Sequence, residues 1–151
     1  MSLLTRRTLV SAFGAVALLA LASTSGMAQE QKAKFTATLT GNDEVPAHNV
    51  PGKGKANLML NQRTKVLHWN IRYKGLTGDA TAAHFHGPAA PGANAGVALP
   101  ITVGPSPIKG MATLTDAQIA DLMAGNWYVN IHTAANPGGE IRGQVLPAQP
   151  K

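Results

Sequence analysis

Leu67-His68-Trp69-Asn70-Ile71-Arg72-Tyr73 alternates apolar and polar side chains without a break. Successive side chains of an extended strand point to opposite faces, so Leu67, Trp69, Ile71 and Tyr73 share one face. His68, Asn70 and Arg72 share the other. Outward from this stretch the same period of two recurs in short runs at 34–40, 54–60, 81–86, 97–103, 108–114, 127–132 and 140–146. Turn-forming residues separate them, as in Gly41-Asn42-Asp43-Glu44-Val45-Pro46, Asn61-Gln62-Arg63-Thr64-Lys65 and the Gly/Pro/Ala stretch 87–96. Many short strands with frequent turns predict an all-β antiparallel sandwich or barrel. One helix is expected. Thr115 can cap it with Gln118 three residues on, Leu114 and Ile119 can staple its entry, and Gly125 can end it. It reads as a connector lying on the sheet.

The first 28 residues stand apart from the fold. Arg6 and Arg7 precede an apolar run from Thr8 to Leu21, and the stretch ends in Gly26-Met27-Ala28, a small-x-small cleavage pattern. This is the layout of a secretory signal peptide, and the run is short of the roughly 20 residues of a membrane span. Thr5-Arg6-Arg7-Thr8-Leu9-Val10 also fits a twin-arginine signal. The expected product is one exported domain over 29–151, periplasmic or extracellular, with no membrane span. Without Arg6 and Arg7 the 13 basic residues fall to 11 against 7 acidic ones, a net charge of about +4. Its lysines are scattered, so no basic stripe for nucleic acid is expected. There is no cysteine, which excludes disulfides, thiol catalysis and thiolate metal sites.

Chemistry concentrates in the histidines. In Ala83-His84-Phe85-His86-Gly87-Pro88 the two imidazoles flank Phe85 and project side by side. In Trp127-Tyr128-Val129-Asn130-Ile131-His132, alternation puts Tyr128, Asn130 and His132 opposite the apolar set. With the apolar sets facing the core, His68, His84, His86 and His132 all point outward onto the solvent face of a sheet. Neutral imidazole suits copper, zinc and nickel. His84 and His86 supply two nitrogens, His132 is the expected third, and His68 and His48 are the further candidates for a fourth position. Glu140 and Arg142 fall on one face of the last strand and read as a surface ion pair, worth little energetically. Those two and Glu44 are candidates for partners to the ligating rings or for structural roles. Neither a phosphate-binding loop nor a nucleophile in a catalytic setting is present, so no catalytic residue is assigned.

The blocks Gly41-Asn42-Asp43-Glu44-Val45-Pro46, Gly75-Leu76-Thr77-Gly78, 83–88, 125–133 and Asn136-Pro137-Gly138-Gly139-Glu140-Ile141-Arg142-Gly143 resemble the CHRD domain family, named for chordin. The resemblance runs from about Phe35 to Leu146. It implies a β-sandwich or barrel of immunoglobulin-like or Cu/Zn superoxide dismutase-like build. The family pattern matches at His84, His86, His132, Glu44, Glu140 and Arg142, and does not include His48 or His68. The growth-factor role of chordin does not carry over, because its cysteine-rich modules are absent here. The His-x-His strand is also similar to the copper site of Cu/Zn superoxide dismutase.

Two functions from different classes follow. The first is a metal-binding protein for copper, or else zinc, in storage, delivery or sequestration, with water, a further histidine or a second copy in a homodimer completing the site. The second is a structural or adhesive module that binds another protein or a matrix polymer, with the histidines and Trp127-Tyr128 as ordinary strand composition. A dismutase-like redox enzyme stands third, since the metal-bridging histidine pattern is missing.

Overall fold

The computed structural model describes residues 31–149; the leader expected over 1–28 lies outside the described residues. Eight strands form where alternation predicts them: β1 (Lys32–Thr40), β2 (Lys53–Asn61), β3 (Val66–Lys74), β4 (Ala80–His86), β5 (Val97–Ile101), β6 (Ile108–Thr113), β7 (Trp127–Thr133) and β8 (Ile141–Pro147). Their ends move by one or two residues from the expected ones. All pair antiparallel in one sheet of order β5-β4-β7-β8-β1-β2-β3-β6. Among the described residues no helix is long and apolar enough to cross a membrane.

Short turns set the local pairings. Asn61 Oδ1 accepts from the Arg63 and Thr64 amides, each at 3.0 Å, and so closes the β2–β3 hairpin. That hairpin holds Met59 opposite His68 and Leu58 opposite Trp69. The longer connection from β3 to β4 carries the chain to the other limb of the sheet. Helix α1 (Asp116–Met123) carries it back from β6 to β7. The predicted capping box is present: Thr115 Oγ1 accepts from the Gln118 amide at 3.2 Å, and Gln118 Oε1 accepts from the Thr115 amide at 2.9 Å. Gln118 Nε2 also donates to the Ala98 carbonyl at 2.9 Å, which ties the helix to β5.

The apolar faces meet because the sheet curls into a nearly closed barrel. Trp69 on β3 lies edge-on to Phe85 on β4, ring centroids 5.5 Å apart, although the two strands are far apart in sheet order. Trp127 packs against the same Phe85 at 5.8 Å. Phe35, Leu39, Leu60, Leu67, Ile71, Val129, Ile131, Ile141 and Val145 complete a core drawn from both limbs. Each large side chain buried there contributes on the order of 2 kcal/mol. The two edges differ in kind from the middle. β5 carries Pro100, which has no N–H to offer a further strand, and β6 carries Gly110, on whose face the Trp69 ring rests. Strands β7 and β8 sit inside the sheet, and this central placement governs the site.

Candidate metal centre

His84 and His86 leave β4 on the outer face, flanking the core residue Phe85, as alternation requires. Register then decides their neighbours on β7. His84 stands directly opposite Asn130, His86 opposite Tyr128, and Ala82 opposite His132. His132 is therefore a diagonal neighbour of His84, within reach of a long side chain. The ring centroids of His84 and His132 are 5.0 Å apart, and those of His84 and His86 5.4 Å. One potential ligand atom from each of the three histidines lies within 4.8 Å of the others.

Hydrogen bonds fix which nitrogens face inward. His86 Nδ1 lies 3.0 Å from the Ala95 carbonyl and His132 Nδ1 lies 2.9 Å from the Pro137 carbonyl. A carbonyl oxygen only accepts, so both Nδ1 atoms carry the proton and donate. On a ring in its neutral form, Nε2 is then the atom left to ligate. Both Nε2 atoms lie beside the side-chain amide of Asn130, 3.1 Å from Oδ1 for His86 and 2.9 Å for His132. His84 Nδ1 approaches His132 Nε2 at 3.1 Å. One ring nitrogen from each of the three histidines and an amide oxygen thus lie close together, a donor set that suits a cation. Orientation of ligating rings through Nδ1–H to backbone carbonyls is the usual support for a metal site.

Protonation favours the same use. Burial lowers the pKa of His84, and the neighbouring His132 and His86 lower it further. Burial also lowers that of His86, where hydrogen bonds to Ala95 and Asn130 oppose the effect and His132 and Arg142 add to it. Both rings are therefore neutral near pH 7, the state a metal requires. Two nitrogens each about 2.0–2.1 Å from an ion such as zinc are at most about 4.2 Å apart. The 3.1 Å pair already meets that limit, and the set of three lies within 4.8 Å.

The expected solvent face is only partly open: His84 and His86 on β4 are half-buried, and the β7 side is covered. Every residue of β7 is buried, on both faces, including Tyr128, Asn130 and His132. The physical reason is that β7 lies inside the sheet and loops fold over its outer side. The 87–96 loop is held there by Arg142 Nη2 on the Ala93 carbonyl (2.7 Å), Arg142 Nη1 on Asn94 Oδ1 (2.9 Å) and Gln144 Nε2 on the Ala89 carbonyl (2.9 Å). His86 stacks on Tyr128 with centroids 4.7 Å apart, and the Arg142 guanidinium sits 3.4 Å from the centre of the Tyr128 ring. A second, polar core thus lies outside the sheet.

The surface ion pair expected of Glu140 and Arg142 is also corrected. Both are buried and they serve different clusters. Glu140 lies just before β8 and accepts from the Thr77 amide (2.7 Å), the Thr77 hydroxyl (2.6 Å), the Thr133 hydroxyl (2.6 Å) and Asn136 Nδ2 (3.1 Å). Burial pushes its pKa up, but these donors outweigh burial and hold the carboxyl below the ordinary value. Arg142 instead clamps the loop over the histidines. Glu44 is buried too, its Oε1 without a hydrogen-bond partner, and burial raises its pKa to about 7 despite the nearby Arg142 charge.

The two further histidines stand elsewhere. His48 Nε2 donates to the Glu140 carbonyl at 3.1 Å, in the loop before β2, and is not in the three-histidine group. His68 is exposed on β3, on the other limb of the sheet. Neither lies in the group formed by His84, His86 and His132. Sequence reasoning missed Asn130 as a member of the site. Its signal was present, since Asn130 lies two residues before His132 on the same face.

The family model for the CHRD domain matches residues 35–145. No curated protein and no solved structure matches the chain significantly. The matched span reaches into every strand and includes all three clustered histidines: the chain belongs to the CHRD domain family.

Proposed function

We propose that the protein binds a metal ion through His84, His86 and His132, with cupric copper as the ion, in storage, delivery or sequestration. The observation that carries this reading is that one ring nitrogen from each of the three histidines lies within 4.8 Å of the others, while the Nδ1 atoms of His86 and His132 are turned to backbone carbonyls. An all-imidazole set with no thiolate favours the cupric ion, and copper outranks the other first-row divalent ions at nitrogen sites. Zinc is the runner-up. Asn130 Oδ1, water or a second copy of the chain fills the remaining position. The leader pattern at 1–28 supports action outside the cytoplasm, in the periplasm or beyond it.

Titration of the purified protein with cupric and zinc ions tests this. Binding tighter than about 1 µM is expected, with affinity at least about tenfold weaker, a loss of about 1.4 kcal/mol or more, in the His84→Ala/His86→Ala variant. Equal, weak binding by both proteins would sink the metal reading and leave the histidines as a packed polar layer.

A further inference from the structure

On the limb of the sheet away from the three histidines, register builds a different row of metal-binding side chains. Met59 on β2 is directly opposite His68 on β3, and His68 is directly opposite Met111 on β6. All three face outward. Met111 is 67 % exposed, His68 is exposed and Met59 is half-buried. A large thioether side chain left this open gains nothing from burial. Directly opposed side chains across antiparallel strands have Cβ atoms about 4.5–5.5 Å apart. Each methionine has three rotatable bonds, so both sulfurs can swing over the central imidazole.

From this row we infer a second metal site, for a soft monovalent ion of the copper(I) class, ligated by Met59 Sδ, Met111 Sδ and the His68 ring. Thioether ligands select copper(I) over hard cations, and one imidazole between two thioethers is a low-charge, soft donor set. The surroundings favour the same choice. The row continues from Met59 to Lys34 on β1, and the next row places Lys109 opposite Asn70, so cations and no carboxylates flank the site. A calcium or magnesium ion would find no oxygen anion there. A groove of about 360 Å³ runs past Lys34, Asn57, Met59, His68 and Asn70, which leaves room for an ion beside Met59 and His68, with Met111 approaching from the neighbouring strand. Within it Asn70 Oδ1 is buried without a hydrogen-bond partner. The inference stands on residues separate from the imidazole cluster and does not need that cluster to bind anything.

Silver(I), a redox-inert stand-in for copper(I), provides the test. The protein is labelled with ¹³C at its methionine methyls and titrated with silver(I) while the spectra are followed. The Met59 and Met111 methyl signals and the His68 ring signals should move together, while Met123, on α1 and 44 % exposed, stays in place. A Met59→Leu/Met111→Leu variant, which keeps side-chain volume, should bind at least about tenfold more weakly. The His84→Ala/His86→Ala variant should retain the methyl response in full. Methyl signals that stay still, or that move no more than Met123, would overturn the inference. So would undiminished silver(I) affinity in the leucine variant. Loss of cupric binding in the alanine variant bears only on the imidazole site.

Discussion

A single carboxyl illustrates how far one residue can depart from its ordinary chemistry here. Glu44 is 7 % exposed, its Oε1 unpartnered, and its pKa stands near 7 in the folded chain against 4.5 for a free side chain. Folding therefore favours the protonated form. The contribution of this group is fully present below about pH 4.5 and is lost as pH rises through about 7. Glu44→Gln removes the penalty. The variant should gain on the native protein by up to about 3 kcal/mol between pH 4.5 and pH 8, read by urea unfolding at both values. A difference that does not change with pH would show that Glu44 ionises normally. His84 and His86 are shifted the other way, so their contribution is full above about 6.5 and falls with acid. Comparing variant with native protein at each pH cancels that common background.

Among the strands, β8 is tightly constrained at one point. Its Gly143 lies against the β1 backbone, so a Cβ there would collide with the Thr38 carbonyl group, which is main chain and cannot rotate away. Gly143→Ala should destabilise the protein by about 2 kcal/mol or more, since strand separation is the only relief. Chemical denaturation measures it, and a cost below about 0.5 kcal/mol would show that β1 and β8 can part freely. Gly139 makes the matching argument for the loop before β8. It adopts φ of 132°, open to glycine, and a Cβ there would meet the Glu44 carboxylate and Asn130 Nδ2, 2.8 Å away in the latter case. The approach of that loop to Asn130 depends on this missing side chain. Helix α1 is the simplest element, because its capping box and its terminal glycine, Gly125 at φ 75°, were all legible from residue order.

For the whole molecule, the proposed metal binding couples to folding. The three histidines come from β4 and β7, which are brought together only by the native sheet. An ion that binds the folded state alone stabilises it by about 2.7 kcal/mol at a hundredfold excess over Kd. Cupric ion should raise Tm in the native protein and leave the His84→Ala/His86→Ala variant unmoved. A rise of equal size in both would place the binding elsewhere. Calorimetry with and without a chelator makes the measurement.

Residue order by itself determined the eight strands, the inner and outer sets on each, the capped helix and the side-by-side placement of His84 and His86. These are local consequences of period-two alternation and turn chemistry, which act over a few residues. It could not determine that β7 and β8 lie inside the sheet, because strand order depends on pairings between distant segments. That order buries Arg142 and Glu140, which alternation alone made a surface pair, and folds the 87–96 loop over the imidazoles. It also separates His68 from the other histidines and sets it between Met59 and Met111. Which outward face is wet and which is a second polar core is decided by what packs against it, and only the tertiary structure supplies that.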